Sequence, residues 1–276
     1  MIATFFYHNE KYALPREDAM AFDADRKVFV AADGVTRDWG GVMEGLRPYP
    51  DPSPATDAAD AVASTALQTL RACPGEEGCV RQALEAANEA VANVNTDLGF
   101  WEKCDWLECD LAGAVAAASM VDGDRLVIGW IGDCGVAVVR DGELAYLTRD
   151  QLEHVLAHLA ANPATYDDPR RAFIRGTLRN RPENTDNGQP ITYGVLTGED
   201  GAVPYIETAT FALQPGDVVA THTDGFRPYF ASVEFLATLS GDPARWEEDV
   251  PAVMRRLIAA DPEHGKERSL ILYRHG

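Results

Sequence analysis

The sequence is poor in positive charge. Lysine and arginine together number 24 against 44 aspartates and glutamates in 276 residues, which gives a formal net charge of −20 and a pI near 4.6. Such a chain repels nucleic acid and anionic membrane surfaces, so neither is expected as a partner, and a cation is an easier ligand than a polyanion. Most of that charge is accounted for by a solvating acidic surface. No apolar run approaches the roughly 20 residues of a membrane helix, and MIATFFYHNEKY lacks the basic start and apolar core of a secretion signal. A soluble, cytoplasmic protein is the expectation. Cysteine is scarce and odd in number, five in all, which fits reduced thiols better than a disulfide framework. The pairs Cys73/Cys79 and Cys104/Cys109 leave a four-thiolate zinc site conceivable, although neither has the usual two-residue gap. No repeat or low-complexity linker divides the chain, and 46% apolar content is ample for one core, so residues 1–276 read as a single domain.

The periodicities that are present alternate in blocks. ATFFYH and VFVAAD read as strands, TDAADAVASTALQTLRA and VRQALEAANEAVANVNTDL as Ala-rich helices, and residues 112–148 as a meander with turns at Asp122-Gly123 and Asp141-Gly142. Asp150 can cap a helix QLEHVLAHLA that Pro163 closes. From about residue 162 to 205 the pattern is polar and loop-rich before YIETATFAL and DVVATHTD resume as strands; a loop this long is usually functional. SVEFLATL and WEEDVPAVMRRLIAA are helical, and SLILYR closes the chain as a strand. Helix pairs separated by antiparallel strand blocks predict an α+β fold: two sheets packed face to face, flanked by helix pairs.

Two strand patterns end abruptly in Asp-Gly. KVFVAADGV stops at Asp33-Gly34 and GDVVATHTDGF at Asp224-Gly225, and neither continues into a returning strand; a third run, LVIGWIGDCG, stops at Asp133. Asp200-Gly201 reads as a simple turn. A strand-end Asp-Gly presents a carboxylate on a rigid element while the glycine lets the backbone approach a ligand. Several such carboxylates in one cleft repel one another unless a divalent cation neutralises them, and oxygen-only ligands select a hard ion, magnesium or manganese, over zinc. PREDAMAFD adds Glu17 and Asp18, so the candidate site is drawn from Asp18, Asp33, Gly34, Asp133 and Asp224.

In their order these pieces resemble the metal-dependent serine/threonine protein phosphatases of the protein phosphatase 2C type (PPM type). REDA resembles the family's Glu-Asp segment, VFVAADGV its first Asp-Gly strand, GWIGDCGVAVVRDGELAYLTRDQ its Gly-Asp-Ser-Arg hairpin with the following Leu-Thr-x-Asp-His, and GDVVATHTDGF its second Asp-Gly strand. The resemblance spans nearly the whole chain and implies a four-layer α/β/β/α sandwich. It implies that Asp33 bridges two Mg2+ or Mn2+ ions, with the Gly34 carbonyl on one and Asp224 on the other. Glu17 and Asp18 act through metal-bound water, and Asp133 helps Asp224 hold a weaker third ion. The implied reaction is in-line attack of a metal-bridging water or hydroxide on phosphoserine or phosphothreonine. The implied partners are a phosphorylated protein and a cognate serine/threonine kinase pathway, and residues 162–205 fall where the family carries its flap.

The departures are specific. GKERSLILY has Lys266 where the family places its last metal-binding Asp, with Glu267 beside it. Either Glu267 takes over as ligand or the Lys266 ammonium fills part of the space of one ion. Ala13 stands at the family's phosphate-binding Arg, for which Arg16 is the candidate substitute; GDCG replaces Gly-Asp-Ser-Arg, Gln151 replaces the His, and the VTRDWGG loop is long. Cys134 reads as a small filler, His222 as a strand histidine or an acid, and His154 with His158 as surface residues. Three readings stay open: an active protein phosphatase, a phosphatase-fold regulatory or binding module with an impaired metal site, and a hydrolase of small phosphoesters.

Overall fold

Alternation along the strands separates two cores. In β3 (Val28–Gly34), Val28, Val30 and Ala32 face one buried cluster and Phe29 another, as a strand covered on both faces requires. The computed structural model describes residues 1–9, 14–36, 49–73, 75–76, 78–106, 109–161 and 174–276. Its first five-stranded sheet runs in the order β10-β5-β4-β3-β2, with β2 at Asp18–Asp23, β4 at Ala114–Asp122, β5 at Arg125–Ile131 and β10 at Glu207–Ala212; β8 (Thr185–Asp186) and β9 (Gln189–Pro190) pair as a separate two-stranded ladder. The second runs β1-β12-β11-β6-β7, with β1 at Ile2–Tyr7, β6 at Gly135–Arg140, β7 at Glu143–Leu147, β11 at Val218–His222 and β12 at Arg268–Arg274. Every pairing in both sheets is antiparallel.

Helices α1 (Pro54–Ala72) and α2 (Gly78–Asp97) cover the first sheet, burying Ala59, Ala63, Leu84 and Val91. Their alanines let the helices lie close to the strands. After the short α3 (Phe100–Lys103) and α4 (Glu153–Ala161), helices α5 (Val233–Ser240) and α6 (Trp246–Ala260) cover the second sheet with Phe235, Leu239, Trp246 and Met254. Between the sheets lies a third cluster that includes Phe29, Ile128, Val136, Val219 and Ile271, and the Ser119 and Thr221 hydroxyls bond across it at 2.7 Å. The fold is thus the expected α+β sandwich. Among the described residues no helix is long and apolar enough to cross a membrane.

Several elements differ from the sequence reading or were not read from it. Residues 112–148 are not one meander: β4-β5 and β6-β7 are hairpins of different sheets, and the chain crosses between them at Gly132-Asp133. Gly132 sits at φ +80°, where an added Cβ would lie 2.3 Å from Val115. The segment DAMAFD is a full strand, β2, and its weak β-forming composition hid it. Cys73 and Cys79 are joined in a disulfide that closes the turn between α1 and α2, so they are neither reduced nor half of a zinc site. Asp200-Gly201 opens a 3-10 turn, Asp200–Tyr205, and α4 begins at Glu153, leaving Asp150 Oδ1 to accept from the Leu152 amide at 2.7 Å.

Within the loop-rich stretch, residues 162–173 lie outside the described residues. The rest is tied down by a buried ion cluster that the sequence did not announce. The Arg179 guanidinium donates to both oxygens of Asp110 at 3.0 and 2.7 Å, and Arg175 reaches the same carboxylate at 2.9 Å.

The central layer sets the spacing of the sheets, so truncating it is costly. Ile128→Ala, at a fully buried position, is expected to destabilise the fold by about 2–5 kcal/mol, read as a lower urea midpoint with an unchanged m-value.

Candidate functional site

The strand period that builds the layers also aims the carboxylates. Asp18 and Asp33 are directly opposed in the β2-β3 register, and each lies an even number of residues from a side chain packed between the sheets, Met20 and Phe29. Asp224 follows β11 of the other sheet and starts a 3-10 helix, Asp224–Ala231. Asp133 sits where the chain crosses from one sheet to the other. Both sheets therefore deliver acids to one end of the central layer, where Asp33 and Asp224 line the same cleft and the charge of Asp224 reaches Asp33.

A cleft of about 380 Å³ opens there, lined by Glu17, Asp33, Gly34, Thr36, Asp224, Glu263, Lys266 and Glu267 together with Asn9 and Leu14. The two glycines after the acids are required by close approach. A Cβ on Gly34 would lie 2.4 Å from the Ala55 carbonyl oxygen and 2.8 Å from that of Glu17, and one on Gly225 would lie 2.1 Å from the Glu267 carbonyl oxygen. Each glycine lets a neighbouring backbone press against the strand end that carries an acid.

Hydroxyls and amides hold the outer acids. Glu17 is buried and accepts from the Tyr49 hydroxyl at 2.9 Å and from the Thr36 and Ser53 hydroxyls; Ser53 also caps α1. Asp18 accepts from Thr223 Oγ1 at 2.8 Å. The Glu267 carboxylate accepts from the Glu17 amide at 3.0 and 3.1 Å and from the Asp18 amide at 3.2 Å.

The family model for protein phosphatase 2C matches residues 7–260. The chain belongs to the protein phosphatase 2C family. Its fold is similar over all of the chain to the Mycobacterium tuberculosis serine/threonine phosphatase PstP/Ppp, with a TM-score of 0.64, 18% identity and 98% of that chain covered. The catalytic domain of PstP in complex with two manganese ions is similar over 99% of this chain and 96% of that one, at 19% identity and a TM-score of 0.61. The PPM phosphatase MsPP of Mycobacterium smegmatis, in complex with cacodylate, is similar over 100% and 98% of the two chains, at 20% identity and a TM-score of 0.59. None of the curated proteins compared matches the sequence.

Against the family pattern, the structure gathers Asp33, Gly34, Asp224, Glu17 and Glu267 around one cleft and sets Asp18 and Asp133 behind it. Arg16 is placed elsewhere: its guanidinium pairs with Asp60 on α1 at 2.9 Å, and it is absent from the cleft lining. Ala13 and the loop from residue 37 to 48 lie outside the described residues. His222 is fully buried, and burial lowers its pKa to about 3, so it is neutral and no acid at physiological pH. Cys134 is a buried filler of the central layer, as expected. His154 and His158 line a larger cavity of about 650 Å³ with Arg149, Gln151, Asp186 and Tyr205, a lining without the paired carboxylates of the smaller cleft. The sequence reading missed Thr36, Tyr49, Ser53 and Thr223 as supports. Only Ser53, a serine directly before Pro54 and a helical run, carried a legible signal.

The electrostatics fit a cation. Burial, then the charges of Asp18, Asp224 and Asp133, push Asp33 well above the usual carboxylate range. Burial and the Glu267 charge do the same to Asp18, and burial with Asp224 and Asp150 raises Asp133 to about 7. Asp224 is raised by burial but held back by the positive charge of Lys266. Among the described residues no three His, Cys, Asp or Glu side chains converge on one point as ligands. An ion held by the Asp33-Asp224 pair would complete its shell with water, as magnesium does when bound through one or two carboxylates.

The sign of the pH dependence follows. Asp133 binds its proton more tightly in the folded chain, up to about pH 7, than in the unfolded one, so its contribution to stability is complete at low pH and is lost as the pH rises toward 7. In chelator, Asp133→Asn should therefore stabilise the protein by about 1–4 kcal/mol at pH 8 and by much less at pH 4, measured by urea denaturation at the two pH values.

Proposed function

We propose that the protein hydrolyses phosphoserine and phosphothreonine in proteins, using a hard divalent cation, Mg2+ or Mn2+, bound at Asp33 and Asp224. The observation that carries this reading is the convergence of these two half-buried carboxyls, one at a strand end of each sheet, on a single cleft rich in acids. The bound cation supplies Lewis acidity, lowering the pKa of water and offsetting charge on the phosphoryl oxygens. The chain's own groups set the stage for it. Asp33 and Asp224 would hold it as two anionic ligands. Asp18, next to them, is held in place by Thr223 Oγ1 at 2.8 Å. Glu267 anchors the Glu17-Asp18 backbone, which in turn bonds Gly34 through the Glu17 carbonyl at 2.9 Å. Burial of the neutral His222 leaves no imidazole acid at this end of β11, and the site relies on solvent for proton transfer.

Family membership supports a phosphorylated protein as substrate and a serine/threonine kinase as the opposing activity, and the likeness to PstP in complex with two manganese ions supports the metal requirement. A second reading, a phosphate-binding regulatory module without turnover, is favoured by the presence of Lys266 in the cleft wall.

Turnover of p-nitrophenyl phosphate and of a phosphothreonine peptide at millimolar Mn2+ separates the two. Asp33→Asn and Asp224→Asn should each lower kcat/KM by at least about 100-fold, near 2.7 kcal/mol of transition-state stabilisation. Equal rates for parent and variants, or no turnover in the parent, would sink the phosphatase reading.

A further inference from the structure

We infer that Lys266 stands in for one divalent ion, so that this cleft takes a single hard cation between Asp33 and Asp224. The inference rests on the metal-dependent reading above and concerns how many ions that reading requires. The family resemblance implies two bridged ions, and Lys266 with Glu267 left open whether a carboxylate or an ammonium faces them.

The hydrogen-bond geometry decides between those alternatives. Both carboxylate oxygens of Glu267 accept from backbone amides, at 3.0 and 3.1 Å from Glu17, with Oε1 also 3.2 Å from the Asp18 amide. A carboxylate held by amides of the β2 edge is directed at that backbone, and its negative charge is spent there. Glu17, the other acid beside it, accepts three side-chain hydroxyls through its two oxygens. Asp18 is 1% exposed, bonded to Thr223, and does not line the cleft. The remaining charged groups of the cleft wall are Glu263, an exposed residue of the Pro262–Gly265 turn, and Lys266, whose positive charge reaches Asp224. An ammonium has three donors and no lone pair, so it ligates no metal and repels one nearby.

Charge balance gives the same count. Asp33 and Asp224 carry two negative charges when ionised, which one divalent ion neutralises, while Glu17 and Glu267 are answered by hydroxyls and amides. A second ion beside Lys266 would face its positive charge. The ammonium is instead a donor suited to a phosphoryl oxygen, the part of the work that a second ion would have done in charge terms.

Counting ions tests this without reference to turnover. The chelator-stripped full chain is titrated with Mn2+, and the free aqua ion is followed by electron paramagnetic resonance, with native mass spectrometry as a second count. One Mn2+ per chain is expected for the parent, one for Lys266→Met and two for Lys266→Asp. Two ions of similar affinity in the parent overturn the role given to Lys266 while leaving the phosphatase reading intact. A count of one in Lys266→Asp, shown folded by circular dichroism, also overturns it. No ion in any form defeats the metal-dependent reading, and this inference with it. The parent count stands as a test by itself if Lys266→Asp does not fold.

Discussion

Like charges buried side by side are the constraint on which this structure turns. Asp18, Asp33, Asp133 and Asp224 are brought to one end of the layer between the sheets, and each raises the protonation tendency of its neighbours. A folded chain tolerates this only where donors or cations answer the charge. The outer acids are answered from within: hydroxyls on Glu17, Thr223 on Asp18, two amides on Glu267. The inner pair, Asp33 and Asp224, has the positive charge of Lys266 acting on Asp224. That asymmetry singles out the inner pair as the place where a bound cation changes the balance most.

The sandwich makes the arrangement possible. Asp33 belongs to the first sheet and Asp224 to the second, so neither sheet alone could form the pair. Close backbone contacts at Gly34 and Gly225 bring the start of α1 and the chain before β12 against the two strand ends. Packing of apolar side chains thus sets the distance between acids that would otherwise drift apart. The stability of the layers is spent partly on holding charges together, which is common where a fold carries a binding site.

Much of this was legible in the sequence. The Asp-Gly endings stood out because the strands before them, VFVAAD and DVVATHTD, are long apolar runs, and because nothing after them returns as a hairpin. The helix pairs were legible from their spacing. What stayed hidden was hidden for physical reasons. Strand β2 is alanine- and acid-rich, and tertiary pairing with β3 overrides its weak propensity. The crossing at Gly132-Asp133 looks like any strand break, since local pattern does not say which sheet a strand joins. Arg16 lay next to the acids in sequence, yet Asp60 on α1 lies closer in space. The supports around Glu17 come from residues 36, 49 and 53, distances along the chain that periodicity does not reach.

The Ser119-Thr221 hydroxyl pair has a wider bearing. Apolar contact between two sheets is non-directional, so by itself it would permit them to slide past one another with little penalty. A 2.7 Å bond between β4 and β11, placed inside that greasy layer, resists such sliding because its length and angle are narrow. Thr221 lies three residues before Asp224 on the same stretch of chain. The alignment of the acid-bearing end is therefore gauged by a polar contact inside the core, which keeps the two sheets in step where the carboxylates meet.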